Sequence, residues 1–140
     1  MSKPILIDAS VLVALLNKSD RFHQWSIETV GQLAYPFLTC EPVITETCFL
    51  LKGIYNGEDA VMGLVTGGNL LLPFNLSHES ARVRQLMKQY NNVPMSLADA
   101  CLVRMNELIP GSSVLSLDSD FRIYRKNKNE IIDLIIPDQL

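Results

Sequence analysis

Metal-binding soft side chains are scarce in this sequence. The two histidines, His23 and His78, are isolated from each other, and the three cysteines, Cys40, Cys48 and Cys101, include no closely spaced pair. Zinc frameworks need Cys and His ligands at short, repeated spacing, so none is present here. An odd cysteine count gives no disulfide framework either. These residues read as small apolar side chains of a reducing compartment. Basic residues are also few: 12 Lys+Arg stand against 15 Asp+Glu, a net charge of -3 at pH 7. That removes support for a generally basic nucleic-acid coat, although a metal-loaded acidic site would change the local field. No apolar run reaches the roughly 20 residues of a membrane span. The opening Met1-Ser2-Lys3-Pro4 lacks the apolar stretch of a secretory leader. The expectation is a soluble cytoplasmic protein with no membrane partner. No Gly-rich run ends in Gly-Lys-Ser/Thr, so there is no Walker-type nucleotide site. Internal repeats and low-complexity tracts are missing too.

What the sequence has is apolar residues in short, punctuated runs. They make up 48% of the 140 residues, against 19% charged, enough for one domain over 1–140 with a sizeable core. Five runs read as strands: 4–7, 36–40, 70–74, 113–117 and 131–136. Pro73 demotes the end of the third to an exit position. Helical spacing marks the stretches between them. Val11–Leu16 suits a buried helix, although residue type alone leaves a strand open. Phe22, Trp25, Thr29 and Leu33 make one face over 21–34, with Trp25 in the core and His23 at the surface or an interface. A helix beginning at Glu41-Pro42 carries Val43, Thr47, Leu50 and Leu51 inward. Further helices run over 59–65 and from Ser77 to Tyr90, the latter burying Val83, Leu86, Met87 and Tyr90. Ser96-Leu97-Ala98-Asp99 has the shape of a capping box that opens a helix through Leu108, ended by Pro110-Gly111. Residues 122–129 form a basic connector. Strands alternating with helices predict a three-layer α/β/α fold around a central, mostly parallel five-stranded sheet.

The chemistry-bearing signal is a set of carboxylates. Asp8 and Asp118 each follow an apolar strand, where ligands of open α/β sheets bind. Glu46 and Asp99 lie in early helical turns that can face the same sheet edge, and Asp120 is a fifth candidate. Each also has a structural reading: Asp8 as a helix cap, Asp99 as a capping-box and helix-dipole partner, Glu46 as a solvent-facing side chain. Carboxylates that converge without cations repel, and a hard divalent ion resolves the conflict, which favours magnesium or manganese.

The order Ile7-Asp8-Ala9-Ser10, Pro42-Val43-Ile44-Thr45-Glu46, Leu97-Ala98-Asp99-Ala100 and Leu117-Asp118-Ser119-Asp120-Phe121 resembles the PIN-domain family over essentially the full chain. Within it, the chain is most similar to the VapC-like ribonuclease toxins of toxin–antitoxin systems. The resemblance implies a Mg2+- or Mn2+-dependent endoribonuclease that hydrolyses RNA phosphodiester bonds. Asp8 and Asp118 would be the leading metal ligands, with Asp99 completing the shell directly or through water. Glu46 would bind a second ion or orient the nucleophilic water, and Asp120 would hold metal-bound water. Ser10 and Ser116 would support Asp8, and Phe121 would pack beneath the loop. It also implies RNA as substrate, a cognate antitoxin as partner, and a homodimer, for which the helices near 22–33 and 43–65 are candidate surfaces. Arg104, Arg122, Arg125 and Lys126, or the helix carrying Arg82, Arg84 and Lys88, can supply part of an RNA track, or be a solvated face.

Two rivals remain. One is a catalytically silent RNA- or metal-binding module of the same fold, against which stands the presence of all four acidic positions. The other is a phosphatase using a strand-end Asp as nucleophile. Asp8 has no second Asp two positions later, since Ser10 stands there.

Overall fold

The computed structural model describes residues 3–140; Met1 and Ser2, which open the stretch read against a secretory leader, lie outside the described residues. Five short strands form one parallel sheet: β1 (Ile5–Ile7), β2 (Phe37–Leu38), β3 (Leu70–Leu71), β4 (Ser113–Leu115) and β7 (Leu134–Ile135), in the order β3-β2-β1-β4-β7. Strands β5 (Arg125–Lys126) and β6 (Glu130–Ile131) form a separate antiparallel hairpin. Helices cover the sheet on both sides in three α/β/α layers, as the alternating pattern predicts. They are α1 (Ala9–Leu16), α2 (His23–Gly31), α3 (Glu41–Leu50), α4 (Gly57–Thr66), α5 (Leu76–Gln89) and α6 (Leu97–Leu108).

β1 is central and wholly buried, which is why it reads as an uninterrupted apolar run. The chain first steps outward from β1 to β2 and β3, then returns through α5 and α6 to pair β4 on the other side of β1. The order therefore reverses between β1 and β4, and the crevice at that switch point is where such sheets bind ligands. In register, Ile7 faces Leu115, and the Asp8 amide donates to the Leu115 carbonyl at 3.0 Å. The residues following both strands are thus held side by side. α6 packs beneath them with Ala98, Ala100, Cys101, Leu102, Val103 and Met105 all buried.

Several boundaries differ from the sequence expectation. The apolar run 131–136 does not form one strand. Ile131 sits in the hairpin, exposed, and only Leu134–Ile135 joins the main sheet. Asp133 divides the run, its carboxylate receiving both Lys3 and the Ser113 hydroxyl while its carbonyl accepts from Val114. The connector 122–129 is structured: Asn127 and Lys128 take the left-handed conformation that turns the hairpin. Helix α5 starts one residue before Ser77, capped by Asn75, whose Oδ1 accepts from the His78 amide at 3.3 Å. Leu50 is 51% exposed, because the last turn of α3 gives the core position to Leu51, one step further around the helix. Met87 is also exposed, since the stripe of α5 against α6 is only wide enough for Val83 and Leu86. Trp25 packs against the core, and His23 is tied inward, its Nδ1 2.7 Å from the Ala14 carbonyl oxygen.

Candidate active site

Asp8 ends β1 and caps α1. Its Oδ1 accepts from the Ala9 amide at 2.8 Å, so the structural role of a cap is real. Its Oδ2 accepts from two hydroxyls, Ser10 at 2.9 Å and Ser116 at 2.7 Å. Each serine in turn accepts a backbone N–H from the end of β4: Leu117 donates to Ser10 at 3.0 Å, Asp118 to Ser116 at 2.9 Å. One buried carboxylate is thereby stitched to the strand end that carries Asp118. Asp118 opens a 3-10 turn over Ser119–Arg122, its Oδ1 accepting from the Asp120 amide at 2.9 Å.

Asp99 closes a true capping box with Ser96, giving and receiving hydrogen bonds at 3.0 and 3.1 Å. Both bonds leave Asp99 buried with its Oδ1 free of hydrogen bonds among the described residues. Glu46, in the second turn of α3, is half-buried and likewise without a hydrogen-bond partner among them.

These carboxylates share one field. Burial raises the pKa of Asp8 against the opposing bonds from Ser116, Ser10 and Ala9, and the charge of Asp118 adds to the rise. Glu46 is raised by burial and by the charges of Asp8 and Asp118. Asp99 is pushed up to about 7 by burial, assisted by Asp8, Asp118 and Glu46 and opposed by its bond from Ser96. Asp120 is raised by burial and by Asp118. In the absence of a counter-charge Asp8, Glu46, Asp99 and Asp120 hold their protons more tightly than free carboxyls do.

The donor set fits a hard divalent cation in kind, since its members are all carboxylates. Among the described residues, however, no three Asp, Glu, His or Cys side chains converge closely enough to hold an ion. The carboxylates act on one another through space without closing a shell.

The PIN-domain family model matches residues 5–127, a span that contains every one of these carboxylates. The chain belongs to the PIN-domain family. Its fold is shared with a solved toxin, VapC20 of Mycobacterium tuberculosis, described as cleaving the sarcin-ricin loop. That match has a TM-score of 0.72 at 18% identity, covering 83% of this chain and 91% of that one. No curated protein matches the sequence. No helix among the described residues is long and apolar enough to cross a membrane.

Around the PIN site, one residue escapes sequence reading. Tyr124 is completely buried and donates its hydroxyl to Asp99 Oδ2 at 3.3 Å. Its ring meets Tyr90 and the buried Phe121 edge-on, at 5.1 and 5.3 Å. Burial first, then the negative charge of Asp99, drives the Tyr124 pKa upward, keeping it a neutral donor. Its neighbours Arg122, Arg125 and Lys126 disguise it as part of a solvated stretch. An aromatic four residues after Asp120 is the available signal.

Most of the candidate RNA-track cations are committed elsewhere. Arg82 forms a two-pronged pair with Glu107 at 2.7 and 3.0 Å. Arg104 donates to Glu79 at 2.7 Å and to Glu107 at 3.1 Å. Arg125 caps the carbonyls of Arg122, Ile123 and Tyr124, and Arg122 donates to Leu140. Arg84 and Lys88 stand exposed on α5 without an ion pair among the described residues.

Proposed function

We propose that this PIN domain is an endoribonuclease that hydrolyses RNA phosphodiester bonds with magnesium or manganese held by Asp8, Asp99, Asp118 and Glu46, Asp120 assisting. The observation that carries the reading is that carboxylates from four separate elements share one field around the sheet's switch point, Asp8 and Asp118 raising the proton affinity of Glu46 and Asp99, and Asp118 that of Asp8. Such an arrangement is costly unless a cation neutralises it. When bound, the ion would stabilise charge on a phosphoryl oxygen and promote ionisation of water.

The chain's own part is orientation and proton transfer. Ser10 and Ser116 fix the rotamer of Asp8 and hold the Asp118 backbone beside it. Tyr124 and the Ser96 amide hold Asp99 by one oxygen and leave the other free of hydrogen bonds among the described residues. Glu46, without a hydrogen-bond partner among the described residues and raised in pKa by burial, would bind a second ion or orient the attacking water and accept its proton at a carboxylate oxygen. The fold shared with VapC20 supports a toxin role with a cognate antitoxin as partner. A homodimer would use the helical surface where Leu50, Tyr55 and Met62 are exposed.

Single-stranded and structured RNAs incubated with Mg2+, Mn2+ or chelator test the reading, with Asp8→Asn and Asp118→Asn proteins alongside. Metal-dependent cleavage, reduced at least a hundredfold in both variants, is expected. Cleavage of no RNA by a folded, manganese-binding protein would favour the silent binding module. The lack of a closed carboxylate shell among the described residues is the observation that speaks for that second reading.

A further inference from the structure

A groove of about 820 Å3 opens directly beside the site, with Glu46 and Ser96 on its rim. This is the size range of small-molecule sites, about 300–1,000 Å3. Phe49, Phe74, Leu97 and Asn75 are among the residues that line it. Phe49 is 68% exposed, a large aromatic face turned to solvent at the groove edge. The charges lining it, among the described residues, are two carboxylates, Glu41 and Glu46. A phosphate would be repelled there. A flat, uncharged ring with a hydrogen-bonding edge suits the aromatic and aliphatic walls and the hydroxyl and amide groups of Ser96 and Asn75.

The groove continues into a second one, of about 480 Å3, with which it shares Leu76 and Leu97. Arg84 and Lys88 line that second groove, and both are exposed and unpaired among the described residues. Positive charge therefore begins where the apolar groove ends. The order along the surface is carboxylate site, a largely apolar groove whose charged groups are Glu41 and Glu46, then cations.

We infer that the groove walled by Phe49, Phe74 and Leu97 holds a base of single-stranded RNA adjoining the scissile bond, while Arg84 and Lys88 receive a phosphate of the same strand. The inference rests on the ribonuclease reading and adds a route and a preference to it. Selection occurs by stacking and edge recognition in a groove that excludes phosphate, so unpaired bases enter and paired ones do not. Base–aromatic stacking is tolerant of base identity, whereas Asn75 and Ser96 supply the edge contacts that discriminate.

The test is binding in chelator, where no cleavage intervenes, measured by fluorescence anisotropy with short single-stranded RNA. Phe49 is exposed, so Phe49→Ala leaves the core intact, which circular dichroism checks. Phe49→Ala is expected to weaken binding about tenfold or more, and Phe49→Trp to restore it. An RNA carrying abasic positions should bind both proteins alike. Replacing Arg84 and Lys88 together by Ala should flatten the salt dependence, by roughly 0.7 in log–log slope for each phosphate no longer neutralised. Unchanged affinity in Phe49→Ala, with metal-dependent cleavage intact in the unsubstituted protein, overturns the groove assignment and leaves the nuclease reading standing. Loss of a dimer in Phe49→Ala, with RNA affinity unchanged, likewise overturns it and gives the face to a second copy. Absence of both RNA binding and cleavage in the unsubstituted protein defeats the nuclease reading and the groove assignment together, a result distinct from the other two.

Discussion

Asp99 shows how one residue serves two demands. As a capping-box partner it satisfies the Ser96 amide, and as a member of the carboxylate group it sits in the field of Asp8, Asp118 and Glu46. Its carboxyl holds a proton up to about pH 7 in the folded protein but only to 3.8 when free. The folded state therefore binds more protons than the unfolded state between those values, and metal-free stability falls as pH rises through that window. Asp99→Asn keeps an acceptor for Ser96 and removes the titration. Thermal melts in chelator from pH 4 to 8 should show the unsubstituted protein losing stability toward pH 8 more steeply than Asp99→Asn. Equal slopes would mean that Asp99 is solvated and unperturbed.

At the scale of elements, Glu107 joins three of them. From α6 it receives Arg82 of α5, Arg104 of its own helix and the Asn127 amide of the hairpin turn, with only 2% of its side chain exposed. Burial works to raise its pKa, but the bonds from Arg82, Asn127 and Arg104 outweigh it, and the net shift is downward. A lowered carboxyl pKa adds stability that is fully present above the unfolded value near 4.5 and is lost as pH falls through the folded value below it. Glu107→Gln should cost about 2 kcal/mol in urea unfolding at pH 7, with the difference shrinking at acid pH. A difference that is constant with pH would refute the ion-pair account. The same network marks where sequence reading ends. β1 with Asp8, β4 leading to Asp118 and the capping box at Asp99 were legible because apolar runs, strand-end acids and cap spacing are local signals. The pairing of Arg82 with Glu107 across two helices is not local, and neither is the division of 131–136 by Asp133. Tyr124 was hidden for a related reason: its burial depends on Tyr90, 34 residues earlier, and on the Asp99 carboxylate, 25 residues earlier, as well as on nearby Phe121.

For the molecule as a whole, the proposed cation would couple stability to metal, since it would offset the raised proton affinity of Asp8, Glu46 and Asp99. Manganese at a hundredfold excess over its Kd should raise stability by about 2.7 kcal/mol. The gain in melting temperature should be larger at pH 8 than at pH 5, where protons compete for the same oxygens. Asp8→Asn or Asp118→Asn should abolish it, and an undiminished rise in those variants would place the ion elsewhere. The internal commitment of Arg82, Arg104, Arg122 and Arg125 has a consequence of another kind, in the timing of encounters. With those cations turned to the protein's own acids and carbonyls and a net charge of -3, little long-range attraction draws a polyanion inward. Such a surface meets its substrate at the unsteered rate, roughly 10^5–10^6 M-1 s-1, where a basic surface reaches about 10^8 or more at low salt. Collisions are then rare and discrimination falls to what happens after contact, so that under the ribonuclease reading most of the RNA within reach would be spared.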